Sequence, residues 1–156
     1  MALEPEPPRT LAPPWPKPCR LLFDTNVVVA ALLWHGPPRR LLDMALNERV
    51  LLFSSPHLLT ALDHTLSYKR LAKRVLLFQT TPQLLVQQYA ALVTLTQPGS
   101  VPRIVADDPD DDAVVAAALE ANVDCLVSGD KHLLRLNGKI AIPVFKAAQV
   151  LDHIAA

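Results

Sequence analysis

This chain predicts an α/β fold with a mainly parallel central sheet, and three observations support that. Short unbroken apolar runs recur along it, as expected of strands buried on both faces of a parallel sheet. Segments with apolar residues at helical spacing separate these runs, and two of them open on Ser or Thr followed by Pro. Two of the runs end at acids, Asp24 and Asp130. The composition agrees: 51% hydrophobic and only 5% aromatic, with Leu, Val and Ala prominent, which disfavours an all-β protein. At 156 residues the chain has the length of one domain with a sizeable core.

Residues 1–18 hold seven of the fifteen prolines. A segment so rich in Pro neither continues a helix nor pairs in a sheet, so it is expected to be a disordered tail. A single domain is expected over residues 19–156. Its first strand is Leu21-Leu22-Phe23, running into Asp24, and a helix follows from Val27 to Trp34. His35-Gly36-Pro37-Pro38 breaks that helix, and the prolines open a second one carrying Leu41, Leu42, Ala45 and Leu46. Val50 to Phe53 reads as the second strand. Ser54 or Ser55 caps a third helix with Pro56 at its first position, its buried face lined by Leu58, Leu59, Leu62 and Leu66. Lys69, Arg70, Lys73 and Arg74 give it a basic end. Thr80 or Thr81 with Pro82 starts a fourth helix to about Thr96, a strand is expected at Val101–Val105, and the acidic run Asp107 to Asp112 opens a fifth helix to Ala121. Strands at Asp124–Ser128 and Ile140–Phe145 bracket a short helix at Lys131–Arg135, and Ala147 to Ile154 forms the last helix.

Several functional classes are excluded by what is missing. Net charge is zero, so any nucleic-acid contact must rest on local patches. The two cysteines, Cys19 and Cys125, have neither disulfide-scaffold nor zinc spacing, which makes a reduced, cytoplasmic protein the default expectation. No apolar run has the length of a membrane span, and no secretory signal pattern stands at the N-terminus. Phosphate-binding loops of the GxxxxGK[ST] and GxGxxG types, the GxSxG elbow and metal-spaced histidines are all absent.

The chemistry therefore falls to acids at strand ends. Asp24, the run at 107–112 and Asp130 all follow predicted strands, and in a parallel sheet these places share the edge where ligands bind. Carboxylates crowded there repel one another unless a cation sits among them. Hard oxygen donors suit Mg²⁺ or Mn²⁺. The same residues also have a structural use, because acids favour helix N-termini.

Four segments carry a resemblance: LLFDTNVVVAALL at 21–33, SSPHLLTALDHTL at 54–66, DPDDDAVVAAALEANVDCLVSGDKHLL at 108–134 and IPVFKAAQVL at 142–151. In this order they resemble the PIN-domain family of metal-dependent ribonucleases, and most of all its branch of bacterial toxin–antitoxin toxins. The resemblance implies a three-layer sandwich with about five strands, a divalent cation, Mg²⁺ or Mn²⁺, and cleavage of single-stranded RNA by an activated water. It implies Asp24, Asp111 and Asp130 as catalytic and metal-binding acids, with Asp112 as the alternative to Asp111, since the acidic run leaves the register open by one residue. Asn26 and Ser128 take the supporting polar positions. The family's third helix usually carries a Glu where this chain has Ala61, and the nearby Asp63 is turned about 200° away along a helix. A three-acid site implies weaker metal binding, so a degenerate module that binds RNA or a protein without cutting is the alternative to an active toxin. Lys131, His132 and Arg135 beside Asp130, together with Arg39, Arg40 and the basic end of the third helix, are candidate phosphate contacts. An antitoxin protein and a second copy of the chain are the implied partners, the latter through the apolar fourth helix.

Overall fold

The computed structural model describes residues 14–97 and 109–154. Five parallel strands form one sheet: β1 (Cys19–Phe23), β2 (Val50–Ser54), β3 (Thr94–Leu95), β4 (Cys125–Val127) and β5 (Val144–Phe145), in the spatial order β3-β2-β1-β4-β5. β1 lies at the centre, pairing Leu21 with Leu52 on one side and with Cys125 on the other. The helices are α1 (Thr25–Leu33), α2 (Pro37–Leu46), α3 (Pro56–Leu66), α4 (Ala72–Leu77), α5 (Pro82–Leu92), α6 (Pro109–Ala121), α7 (Lys131–Leu134) and α8 (Ala147–Ile154), with a 3₁₀ turn at Lys69–Leu71.

The period of two along β1 builds a core on each face of the sheet. Leu21 and Phe23 point into one apolar cluster with Val27, Leu41, Leu62, Tyr89, Cys125 and Val150, drawn from α1, α2, α3, α5 and α8. Leu22 and Leu126 point the other way, into a cluster with Phe53, Leu58 and the Val114–Val115 and Ala117–Ala118 pairs of α6. Such two-sided burial is why the central strands read as unbroken apolar runs.

The base of the β1/β4 pair is stitched by a polar exchange. The Asp124 N–H donates to the Arg20 carbonyl at 2.7 Å, and the Arg20 N–H donates to Asp124 Oδ2 at 2.9 Å. Arg20 Nη2 also donates to the Ala121 carbonyl at 2.6 Å, and its guanidinium lies 4.4 Å from the centre of the Phe53 ring. Asn122, with φ 55°, makes the left-handed turn that carries α6 into β4, a conformation Asn tolerates.

The expected elements shift in three places, and a fourth expectation falls outside the described residues. The fourth helix ends at Leu92, and the β-branched stretch after it forms β3, where Thr96 donates to the Ser54 carbonyl at 2.8 Å. The strand expected at Val101–Val105 lies outside the described residues. The last strand shortens to Val144–Phe145, because Lys139 and Ile140 still donate to the Leu136 carbonyl in the turn after α7. The basic stretch after α3 is a 3₁₀ turn and the extra helix α4.

The tail expected through Pro18 is corrected at its last residues. Trp15 is buried, its ring centre 6.0 Å from that of Phe145 and 5.8 Å from that of His153. Truncating this ring should cost on the order of 3 kcal/mol, which for a chain of this size is roughly 10 °C in Tm. Removing residues 1–13 should leave Tm within a few degrees, whereas Trp15→Ala in the same truncated chain should produce that drop. Equal melting of the two proteins in a thermal scan would count against the docking of Trp15.

Candidate active site

The site lies where β1 and β4 end. Asp24 directly follows β1 and caps α1: its Oδ1 accepts from the Val27 N–H at 2.8 Å, and the residue is 5% exposed. Its backbone N–H donates to the Val127 carbonyl at 3.0 Å, so the end of β4 fixes its height along the sheet. Ser128, fully buried, donates its hydroxyl proton to Asp24 Oδ2 in a short hydrogen bond and accepts the Asp130 N–H at 3.0 Å. One hydroxyl thus couples the acids that follow two neighbouring strands. Asp130 in turn caps α7, its Oδ1 accepting from the His132 N–H at 2.7 Å.

The third acid comes from α6. Asp111 sits in the first turn of that helix, buried, and with Asp24 and Asp130 it lines one cleft of about 500 Å³. Asn26 lines it as well. Asp112 is also buried but does not border the cleft.

Burial pushes the Asp24 carboxyl above the usual carboxylate range. The negative charge of Asp130 adds to the rise, and the hydrogen bonds from Ser128 and Val27 oppose it without cancelling it. A buried carboxylate with a second acid close by is the electrostatic setting that a cation relieves.

The donor set has the chemistry of a hard divalent cation, all carboxylate oxygens with room for water. Its spacing is open: among the described residues, no three His, Cys, Asp or Glu side chains stand close enough to hold a metal ion by themselves.

α3 and the turn after it also wall the cleft. Ala61 lines the cleft, partly buried, and Asp63 does not border it. His57, His64, Tyr68 and Arg70 line this wall. Sequence reasoning passed over the two histidines and Tyr68, although 57, 61, 64 and 68 recur at helical spacing along one face. Lys131 and Arg135 are exposed beside α7 and do not border the cleft. Neither does Arg39, which pairs with Asp43 at 3.2 Å on α2.

A family model described as PIN domain matches residues 20–132. No curated protein and no solved structure matches the chain.

Proposed function

The chain belongs to the PIN-domain family, which carries nuclease activity in general, and on that premise we propose that it is a metal-dependent endoribonuclease that cleaves single-stranded RNA. The observation that carries the proposal is the convergence of Asp24, Asp111 and Asp130 on one cleft at the carboxyl ends of the strands. PIN domains generally use divalent ions. A bound Mg²⁺ or Mn²⁺ supplies charge stabilisation at the phosphate and a water of lowered pKa. The chain's own residues do the rest. Asp24 and Asp130 are held in fixed orientations by the helix N-termini they cap and by Ser128 between them. Asp111 brings the third carboxylate from a helix packed against β1, β2 and β4. Asn26 offers an exposed amide at the rim for a ribose or phosphate oxygen.

The biological setting we propose is that of a cytoplasmic toxin held in check by an antitoxin protein. Exposed Leu76, Leu77 and Phe78 at the end of α4 and Leu84 on α5 support a protein partner, an antitoxin or a second copy, since exposed apolar side chains grouped together mark such contacts. No helix among the described residues is long and apolar enough to cross a membrane.

A second reading has its own observation. Ala61 presents no carboxylate to the cleft, and the remaining acids are spaced openly, which suits a module that binds RNA or a protein without cutting. Calorimetric titration with Mn²⁺, followed by incubation with a mixed-sequence single-stranded RNA, separates the two. The nuclease binds Mn²⁺ and cuts only when it is present. RNA binding with neither metal uptake nor cleavage identifies the degenerate module.

A further inference from the structure

The basic stretch after α3 contains four cations, and the fold treats them differently. Arg74 is structural: its Nε donates to the Leu33 carbonyl at 2.7 Å, and its guanidinium lies 5.0 Å from the Trp34 ring centre and 5.3 Å from that of Phe78. Lys69 and Lys73 are exposed and border no part of the cleft. Arg70 alone of the four lines it, in one cleft with the three acids.

Arg70 is also held in place. Its guanidinium stands 5.6 Å from the centre of the Tyr68 ring, within cation–π range. Tyr68, 42% exposed, is braced by His64, whose ring meets it edge-on at 5.6 Å and 79°. All three side chains line the cleft. An exposed Arg ordinarily samples many rotamers. One resting on an aromatic face loses less freedom when its planar fork binds an anion.

The cleft thus carries both signs of charge. The carboxylates of Asp24, Asp111 and Asp130 line it together with the stacked guanidinium of Arg70, which comes from the turn after α3. A nucleic-acid strand crossing such a cleft meets two kinds of contact. The phosphate to be attacked lies by the acids and their cation, and a neighbouring phosphate faces the cationic wall. We propose that Arg70, positioned by Tyr68 and His64, is the phosphate anchor for single-stranded RNA in this cleft, seating a phosphate next to the one at the acids. This inference rests on the RNA-binding part of the proposed function and is independent of whether the strand is cut.

The test is fluorescence anisotropy with a labelled mixed-sequence single-stranded oligoribonucleotide, over a series of salt concentrations and without divalent metal, so that binding is read apart from cleavage. Wild type is compared with Arg70→Gln, Arg70→Lys, Tyr68→Ala and Lys139→Gln, the last removing an exposed cation away from the cleft. Arg70→Gln should bind about tenfold more weakly, and its slope of log K against log salt should flatten by about 0.7, the loss of one phosphate contact on a single strand. Arg70→Lys should keep the slope, Tyr68→Ala should weaken binding with the slope retained, and Lys139→Gln should match wild type.

The inference is overturned if Arg70→Gln keeps wild-type affinity and slope, if Lys139→Gln loses as much as Arg70→Gln does, or if wild type does not bind the RNA at all. Cleavage with Mn²⁺ is scored separately on the same proteins. RNA that is bound through Arg70 but never cut sinks the nuclease reading and leaves the anchor standing. RNA that is cut equally well by wild type and by Arg70→Gln with unchanged binding does the reverse.

Discussion

In Asp24→Asn, the proposed RNA cleavage should fall by roughly a hundredfold or more, while the metal-free protein should melt no lower than wild type. Asn is as good an N-cap as Asp, so its Oδ1 keeps the bond to the Val27 N–H that starts α1. Its Nδ2 faces the Ser128 hydroxyl, which has lone pairs to accept it. What disappears is a negative charge whose formation the fold opposes. Burial first, and the charge of Asp130 in addition, raise the Asp24 pKa over its value in an open chain.

The sign of the effect follows from linkage. A carboxyl with a raised folded-state pKa holds its proton more tightly when folded. Below the unfolded value, near 4, both states carry the proton and the residue has no pH-dependent effect. As pH rises from there to the folded value, ionisation becomes progressively costly to the folded state, and above the folded value the cost is complete. Wild type should therefore lose stability relative to Asp24→Asn as pH climbs through that window and stay behind at neutral pH. Adding Mn²⁺ should raise the wild-type Tm by mass action and leave that of the variant nearly unchanged. Thermal scans of both proteins from about pH 4 to about pH 8, with and without Mn²⁺, measure all of this. A metal-free Asp24→Asn protein melting several degrees below wild type at neutral pH would mean that the carboxylate serves the fold and not a cation.

The second large effect is a gain. Ala61→Glu should place a fourth carboxylate in the cleft, tighten Mn²⁺ binding, and raise RNA cleavage by about tenfold. Position 61 already lines the cleft with Asp24, Asp111 and Asp130, so the new side chain needs no rearrangement to reach it. Without metal the substitution should lower Tm, because a fourth negative charge joins three carboxylates that line one cleft. Mn²⁺ should recover the loss. Asp63→Ala is the companion. Asp63 borders no part of the cleft, and its Oδ1 is buried without a hydrogen-bond partner, so removing the carboxylate should leave cleavage intact and cost little stability. Activity abolished by Asp63→Ala and unchanged by Ala61→Glu would show that the acid has moved along the helix.

The strands were legible at the centre of the sheet and faded toward its edges. Leu21-Leu22-Phe23 and Cys125-Leu126-Val127 are buried on both faces, so their sequences carry no alternation and little ambiguity. β3 and β5 are two residues each, and at that length pairing partners decide the strand and propensity does not. The boundary of α5 was missed for the same reason: Val93 to Thr96 suits a strand only because β2 has an open edge beside it.

Asp24 and Asp130 stand out as candidates because an acid just past an apolar run is conspicuous. In the run at 107–112 the choice among neighbours depends on helix phase, which the fold sets by placing Asp111 toward the cleft and Asp112 elsewhere. The α3 wall was hidden. His57, His64 and Tyr68 are each ordinary surface residues in a linear reading, and only the turn after α3 brings Arg70 back alongside them.

The two polar links between β1 and β4 have a consequence for quality control. Arg20 and Asp124 clasp the strands at one end, and Asp24 and Ser128 clasp them at the other. Slipping this pair by a single residue would turn every side chain of one strand to the wrong face and would separate both clasps at once. The acids from β1 and β4 therefore meet only in a chain whose central strands have closed in register. A misthreaded copy would carry all the same residues without bringing Asp24 and Asp130 to one cleft.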